Sequence, residues 1–376
     1  VTELAKPDSV PTPREAPTPR EAPTPREAPT PRGASTPREA KNGAREGRGN
    51  ATIYDIAKVA GVNPSTVSRA LSKPGRVSVK TQKLIEDAAA GLNYHVNPFA
   101  RALPTGRTST LGLIVADITN PTFFDIIRGT ESTAAVRDYT LVLAESAESA
   151  VTELMTARRL MATVDGLILA SPRMDDDDIR ALARDKPVVV INREVEGVLC
   201  VVPDVNKGIG EAVRSLAAHG HQKIAFVAGP PQSWMSGRRW EGVQAACDWS
   251  RLEAVRLEST KPTIEGGRQA ARAVRASGAT AVLTYNDLLA IGLMQELQAA
   301  GIEVPGQISI VGFDDIFGAD FTTPPLTTVR APLRQSGSDA AKLLLQILHG
   351  GAEDSFVVQA ESELVIRGSS GPLVTR

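Results

Sequence analysis

From Leu111 onward the sequence alternates between short apolar runs and longer stretches of helical spacing. The apolar runs are LGLIVA (111–116), TLVLA (140–144), DGLILA (165–170), PVVVI (187–191), KIAFVA (223–228), AVLT (281–284) and ISIVGF (308–313). Helical patterns fall between them, at about 123–137, 149–162, 205–219, 236–250, 264–276, 287–300 and 333–349. Strands that alternate with helices predict parallel, doubly wound sheets. Seven such strands plus minor ones in about 260 residues predict two stacked subdomains, with ligands taken at the C-terminal strand ends.

The whole chain has 376 residues, too many for one simple domain, and its hydrophobic content of 42% supports a sizeable core. The net charge of -1 averages unlike segments. Residues 50–107 hold eight Lys and Arg against three Asp and Glu, whereas residues 108–376 carry an excess of about eight acids. A small basic segment on an acidic body points to a head that meets phosphate. The two cysteines, Cys200 and Cys247, form neither a disulfide framework nor a zinc spacing, which suits a reducing compartment. No apolar run reaches membrane-spanning length and no apolar signal core is seen, so a cytoplasmic protein is expected.

Residues 11–40 repeat a hexad, PTPREA three times and then PTPRGA and STPREA. Two prolines in every six residues exclude a helix or a central strand, and nothing apolar is present to build a core. Residues 1–49 are expected to be a disordered, Pro-rich tail, locally polyproline II.

Residues 50–95 read as three short helices. Thr52 and Asp55 form a capping box, and Ile53, Ile56, Ala57 and Ala60 make an apolar stripe that Gly61 ends. Asn63 caps a second helix whose first residue is Pro64, with Val67, Ala70 and Leu71 as its buried face. Ser78 caps a third, through Leu84, Ile85 and Ala88 to Gly91. The helix–glycine–helix spacing matches a helix-turn-helix with the second helix as reader. Ser65, Ser68, Arg69 and Ser72 share one face of it. Short polar side chains let a helix sit deep in a major groove, and one arginine can fork onto a guanine.

TIYDIAKVAGVNPSTVSRALS (52–72) and RVSVKTQKLIEDAAAGLNYHVNPFARAL (76–103) together resemble the DNA-binding head of the LacI/GalR family of bacterial transcription regulators. The likeness continues through DITNPTFFDIIRG (117–129), DVNKGIGEAVRSLAAHGHQKIAFVAGP (204–230), RRWEG (238–242), YNDLLAIG (285–292) and VPGQISIVGFDDIFGADFTTPPLTTVRAP (304–332). It implies a small all-α helix-turn-helix head joined to an α/β periplasmic-binding-protein-like body of two doubly wound parallel-sheet subdomains. By matching positions, Pro64, Ser65, Thr66, Ser68 and Arg69 are implied to face the operator, and Tyr54, Ser78, Thr81 and Tyr94 to hold its backbone.

Residues 96–107 are expected to be a hinge, with Asn97 as cap and FARAL between Pro98 and Pro104. So short a segment cannot hold a helix alone in water. The resemblance implies that two such segments pair and fold on DNA, with Asn97, Ala100 and Leu103 as contacts and Leu103 wedging a base step. Pro104 follows Leu103 directly and disfavours helical geometry there.

Residues 108–376 are implied to be the effector-binding and dimerisation part, two interleaved subdomains with a small molecule between them. Asp117, Phe123, Asn192, Arg239, Asn286 and Asp314 match its pocket positions. A carboxylate, an amide and a guanidinium converging in a cleft suit a hydroxyl-rich ligand such as a sugar, and a nucleoside base nearly as well. The chain departs from the family at Asp204-Val205 and in a short 248–264 segment, where an edge of the second subdomain is expected to be trimmed or reshaped.

An enzyme finds little support. GIGEAV (208–213) is an incomplete dinucleotide fingerprint, and neither a phosphate-binding P-loop nor a serine elbow is present. His219 and His221 are read as structural, Asp175 to Asp178 as a solvated helix start and Trp240 as packing, so neither a metal nor a cofactor is expected. The expected protein is a homodimeric, ligand-responsive repressor on a pseudo-palindromic operator. The alternatives are a binding receptor without a DNA role and an effector-independent regulator.

Overall fold

The computed structural model describes residues 51–72, 75–94, 106–258, 261–351, 357–358 and 361–374. The repeat tail and the hinge positions Asn97, Ala100 and Leu103 lie outside them.

Three helices open the described chain: α1 (Ile53–Ala60), α2 (Pro64–Ser72) and α3 (Val79–Gly91). The Thr52 hydroxyl accepts from the Asp55 backbone N–H at 3.4 Å, and the Asp55 carboxylate accepts from the Thr52 N–H at 2.8 Å. This reciprocal pair satisfies two of the N–H groups that a helix start leaves open. Gly61 ends α1 at φ 65°, a left-handed conformation that a side chain would strain. The Asn63 side chain accepts from the Ser65 N–H at 3.2 Å and so starts α2. Ile56, Val67, Ala70, Ile85 and Ala88 are buried together as a small core. Leu84, expected on that core, is 46% exposed, because α3 turns it outward beside Ile85.

The rest builds two six-stranded sheets. The elements are β1 (Thr110–Val115), α4 (Thr122–Ala135), β2 (Thr140–Glu145), α5 (Ala150–Met161), β3 (Gly166–Ala170), α6 (Asp176–Asp185), β4 (Val188–Ile191) and β5 (Leu199–Val201). Then come α7 (Asn206–Ala218), β6 (Lys223–Val227), α8 (Trp234–Ser250), β7 (Glu253–Leu257), α9 (Ile264–Ser277), β8 (Ala281–Thr284) and α10 (Asp287–Ala299). The chain closes with β9 (Ser309–Phe313), β10 (Thr327–Arg330), α11 (Leu333–Leu348), β11 (Val357–Val358) and β12 (Glu363–Val365). The first sheet runs β11-β5-β4-β3-β1-β2 and the second β12-β10-β9-β8-β6-β7. The pairings are parallel except β10 with β12. The chain passes to the second sheet after β5, returns through α11 to β11, and goes back to β12.

All seven runs expected as strands are strands. The inner ones, such as β3, β4 and β8, are buried along their whole length, which is what parallel strands covered on both faces require. The expected trimming of the second sheet's edge is not seen. β7 pairs with β6 from Lys223↔Glu253 to Val227↔Leu257, so the short 248–264 segment still supplies a full edge strand.

Two helix pairs touch backbone to backbone. A Cβ at Gly129 of α4 would meet the Arg334 carbonyl oxygen at 2.0 Å, and one at Gly337 of α11 would meet that of Ile126 at 2.2 Å. The same contact is tied by the Thr130 hydroxyl, which donates to the Ile126 and Gly337 carbonyls at 2.8 and 3.2 Å. It locks α11, which comes late in the chain, onto the first sheet. In the second subdomain, a Cβ at Gly267 of α9 would meet the Leu289 carbonyl oxygen of α10 at 2.2 Å. The incomplete dinucleotide fingerprint lies inside α7, where Gly208 packs against Val329 and Ser362. Its glycine serves close packing.

Candidate functional site

On the head, Ser65, Ser68 and Arg69 are exposed on one side of α2 while Val67 and Ala70 are buried on the other. Thr66 and Pro64 are half-buried. Arg69 lies back along its own helix, donating to the Ser65 carbonyl at 3.1 Å and to the Ser65 hydroxyl at 3.4 Å. Tyr54 is 69% exposed on α1, and Ser78 and Thr81 bond each other at 2.8 Å at the start of α3. Tyr94 packs against the head core.

In the body, the candidate pocket residues lie where the strands of both sheets end. Arg239, on α8, is 5% exposed, and its guanidinium bonds Asp314 at 2.7 Å and the Tyr285 carbonyl. The Phe313 ring lies under it, 3.6 Å from the guanidinium carbon to the ring centre. Burial pushes the Asp314 carboxyl up, and Arg239 opposes that shift. From the first sheet, Asn192 follows β4 at φ 64° and donates to the Ser171 hydroxyl at 3.0 Å. Its carbonyl oxygen is buried without a partner, as is Nε of Arg239. Ser171, Asn192, Asp314 and Asp315 all have positive φ just beyond strand ends. Strained backbone concentrated at one cleft is a mark of function.

Asn286 stands apart from the other candidates. It is 1% exposed, its Oδ1 caps α10 by accepting from the Leu289 N–H at 3.0 Å, and its amide nitrogen donates to the Pro262 carbonyl at 3.0 Å. Both ends of the amide are engaged by the fold. Phe123, in the first turn of α4, is 3% exposed within a core cluster that joins both subdomains. Asp117 accepts from the Thr119 N–H at 2.8 Å and lines a cavity of about 500 Å³ between the subdomains. Glu145, Glu148, Gln232 and Lys261 share that cavity, while Thr122 and Asp314 line a second one of about 470 Å³.

Two cleft residues escaped the sequence reading. Arg173, just beyond β3, is 6% exposed and bonds Glu148 at 2.6 Å and the Ser171 carbonyl at 2.9 Å. Burial works to lower its pKa, but Tyr285 and Glu148 outweigh that and raise it. Tyr285, beside the recognised Asn286, bonds Ser233 at 3.0 Å through its hydroxyl. Tyr285 directly follows β8 and Arg173 lies three residues beyond β3, and that placement at strand ends is the signal that marks them.

The other singled-out residues are structural. His221 is buried between the Thr280 and Ser309 hydroxyls at 2.9 and 3.0 Å. Trp240 stacks on Phe226, with ring centres 6.0 Å apart. Asp176, read as solvated, is paired with Arg193 at 2.5 Å.

Residues 52–97 match the family described as bacterial regulatory proteins, lacI family, and residues 213–370 match the periplasmic binding protein-like domain. Over 332 residues the chain is 32% identical to the HTH-type transcriptional repressor PurR of Photobacterium profundum, covering 85% of this chain and 98% of the relative. The chain belongs to the lacI family. Among solved structures, the lac repressor dimer bound to operator and the anti-inducer ONPF is similar at a TM-score of 0.78 and 27% identity, over 86% of this chain and 100% of that one. A LacI family transcriptional regulator from Enterococcus faecium with bound ribose is similar at a TM-score of 0.62 and 31% identity, over 70% of this chain and 99% of that one. This lacI-family protein is therefore a DNA-binding transcription regulator and not an enzyme. Among the described residues, no helix is long and apolar enough to cross a membrane.

Proposed function

We propose that the protein is a ligand-responsive repressor that binds a pseudo-palindromic operator as a dimer and takes a small hydroxyl-rich effector, a sugar or sugar-like molecule, into its cleft. The observation that carries the ligand class is the pair of orphaned polar atoms. Arg239 Nε is a buried donor and Asn192 Oδ1 a buried acceptor, and neither has a partner. A buried polar group without a hydrogen bond costs about 1–3 kcal/mol, so a ligand that supplied a partner to either atom would stabilise the cleft. A hydroxyl both donates and accepts and can serve either atom. The ribose bound to the Enterococcus faecium regulator supports the same class.

On the DNA side, Ser65, Ser68 and Arg69 are exposed on α2 and take no part in the head core, which suits base contacts. Pro64 has no N–H to offer, so the direct reading falls on Ser65 and Arg69. A ligand that changes how the cleft closes would couple to DNA affinity, and the coupling is reciprocal.

The test is a thermal-shift screen of the full chain against sugars, sugar phosphates, nucleosides and purines, followed by DNA binding with and without each hit. A ligand at about 100 times its dissociation constant adds roughly 2.7 kcal/mol of stability. A sugar that shifts the melting temperature and alters DNA affinity is the expected result. A nucleoside hit would replace the ligand class. Ligand binding with unchanged DNA affinity would point to an effector-independent regulator.

A further inference from the structure

We propose that the lower end of the first subdomain, where the chain arrives from the head, carries a second electrostatic contact to duplex DNA through Arg137, Arg158, Arg159 and Arg184. The proposal rests on the DNA-binding reading of the head. In a parallel sheet with crossover helices, the strands' N-termini and the helices' C-termini share one end. The chain enters the body at that end. The Thr108 and Ser109 N–H groups donate to the Asp165 carboxylate, at 2.6 and 3.0 Å, just before β1 begins.

Three helix-to-strand turns open onto the same end. Arg137 lies between α4 and β2, Arg158 and Arg159 end α5, and Arg184 is in the last turn of α6. All four side chains are exposed. Among the described residues, none of the four has a carboxylate within 4.0 Å. Exposed Arg107 joins them, with its guanidinium on the Leu348 carbonyl at the end of α11. The acids on these turns are Asp138, Asp165 and Asp185, and Asp165 is engaged by the Thr108 and Ser109 backbone. Asp178 and Asp185 share a groove with Arg158 without reaching pairing distance.

The opposite end of the subdomain has the other sign. Asp117, Glu145 and Glu148 line the cleft cavity and Asp175, Asp176 and Asp177 open α6, in excess of Arg173, Arg180 and Arg193, which pair with Glu148, Asp177 and Asp176. So the first subdomain is polarised along its strands, in a body whose total charge is acidic. The competing account is that arginines at helix C-termini only offset the helix dipole, which stabilises by a few tenths of a kcal/mol to about 1 kcal/mol each. That account predicts an effect on stability alone. Contact with phosphate predicts counterion release, a steepening of about 0.9 in the slope of log K against log salt for each phosphate neutralised.

The measurement is salt-dependent binding of the full chain to a random-sequence duplex of about 60 base pairs, so that no operator need be known. It compares the parent protein with the triple variants R158Q/R159Q/R184Q and R158K/R159K/R184K. The glutamine variant is expected to show a slope shallower by about 1–3 and, at low salt, binding weaker by about tenfold or more. The lysine variant is expected to match the parent. An unchanged slope in a glutamine variant whose melting temperature falls overturns the proposal in favour of the dipole account. If the triple glutamine variant does not fold, Arg184→Gln alone must lower the slope by about 0.9 or less, and no change counts against the contact. A parent protein that binds no duplex refutes the reading of the head instead.

Discussion

The reading helix and the cleft each present an arginine, and the two are held in opposite ways. Arg69 is exposed and rests on the Ser65 carbonyl and hydroxyl, surface contacts that water can replace at small cost. Arg239 is buried, paired with Asp314, bonded to the Tyr285 carbonyl and stacked on Phe313. Water has already been removed from it. A surface site therefore keeps its function and its stability separable, whereas a buried site combines them in the same bonds.

The largest expected effect tests the buried half. Asp314→Ala leaves the Arg239 guanidinium in a buried position without its counter-charge. Such a loss costs about 3–5 kcal/mol, to be read by urea denaturation of the full chain, with ligand response lost in the same variant. A change below about 1 kcal/mol would mean that the pair is solvated and that the contrast with Arg69 fails.

Arg69→Ala tests the exposed half. Operator binding should fall by about 1–3 kcal/mol, the worth of a good bidentate base contact. Folding stability should stay within about 0.5 kcal/mol, as for most surface changes. Equal losses on operator and random duplex would make Arg69 a phosphate contact.

A smaller effect separates the head from the body. Thr52→Ala removes the capping hydroxyl of α1 and should lower the head's stability by about 0.5–2 kcal/mol. Amide exchange should quicken in α1 to α3 while the cleft strands stay protected. Exchange that quickens everywhere would show that head and body unfold as one unit.

The smallest effect concerns a buried histidine. Burial lowers the pKa of His221 from its ordinary 6.5. The unfolded chain therefore takes up the proton before the folded one does. The stability tied to a neutral His221 is complete above about pH 6.5 and is lost as the pH falls through the folded value. Melting temperatures from pH 8 to pH 5 should show this decline, and His221→Gln should flatten it. An equally steep decline in the variant would assign the effect to other groups.

The head was legible because its information is local. Thr52 with Asp55, Gly61, and Asn63 before Pro64 are neighbours in sequence and in space, and capping chemistry acts over three or four residues. The misjudged Leu84 follows from the same locality, since one apolar residue beside another does not say which of the two the core receives. The cleft was legible only where a motif matched. The motifs put Arg239, Asp314 and Asn192 forward as candidates, but that the Asn286 amide caps α10 at one end and holds the Pro262 carbonyl at the other was not visible, nor was the burial of Arg173.

What this sequence determined by itself was the alternation of strand and helix, the caps, and the side chains on the outer face of α2, because periodicity and capping are properties of adjacent residues. The tertiary structure alone decided which strand ends meet. Arg239 and Asp314 are 75 residues apart, and α11 leaves the second sheet to lock onto α4 through Gly129 and Gly337. Such contacts depend on how the sheets are ordered and how closely the helices approach, and neither is a function of spacing along the chain.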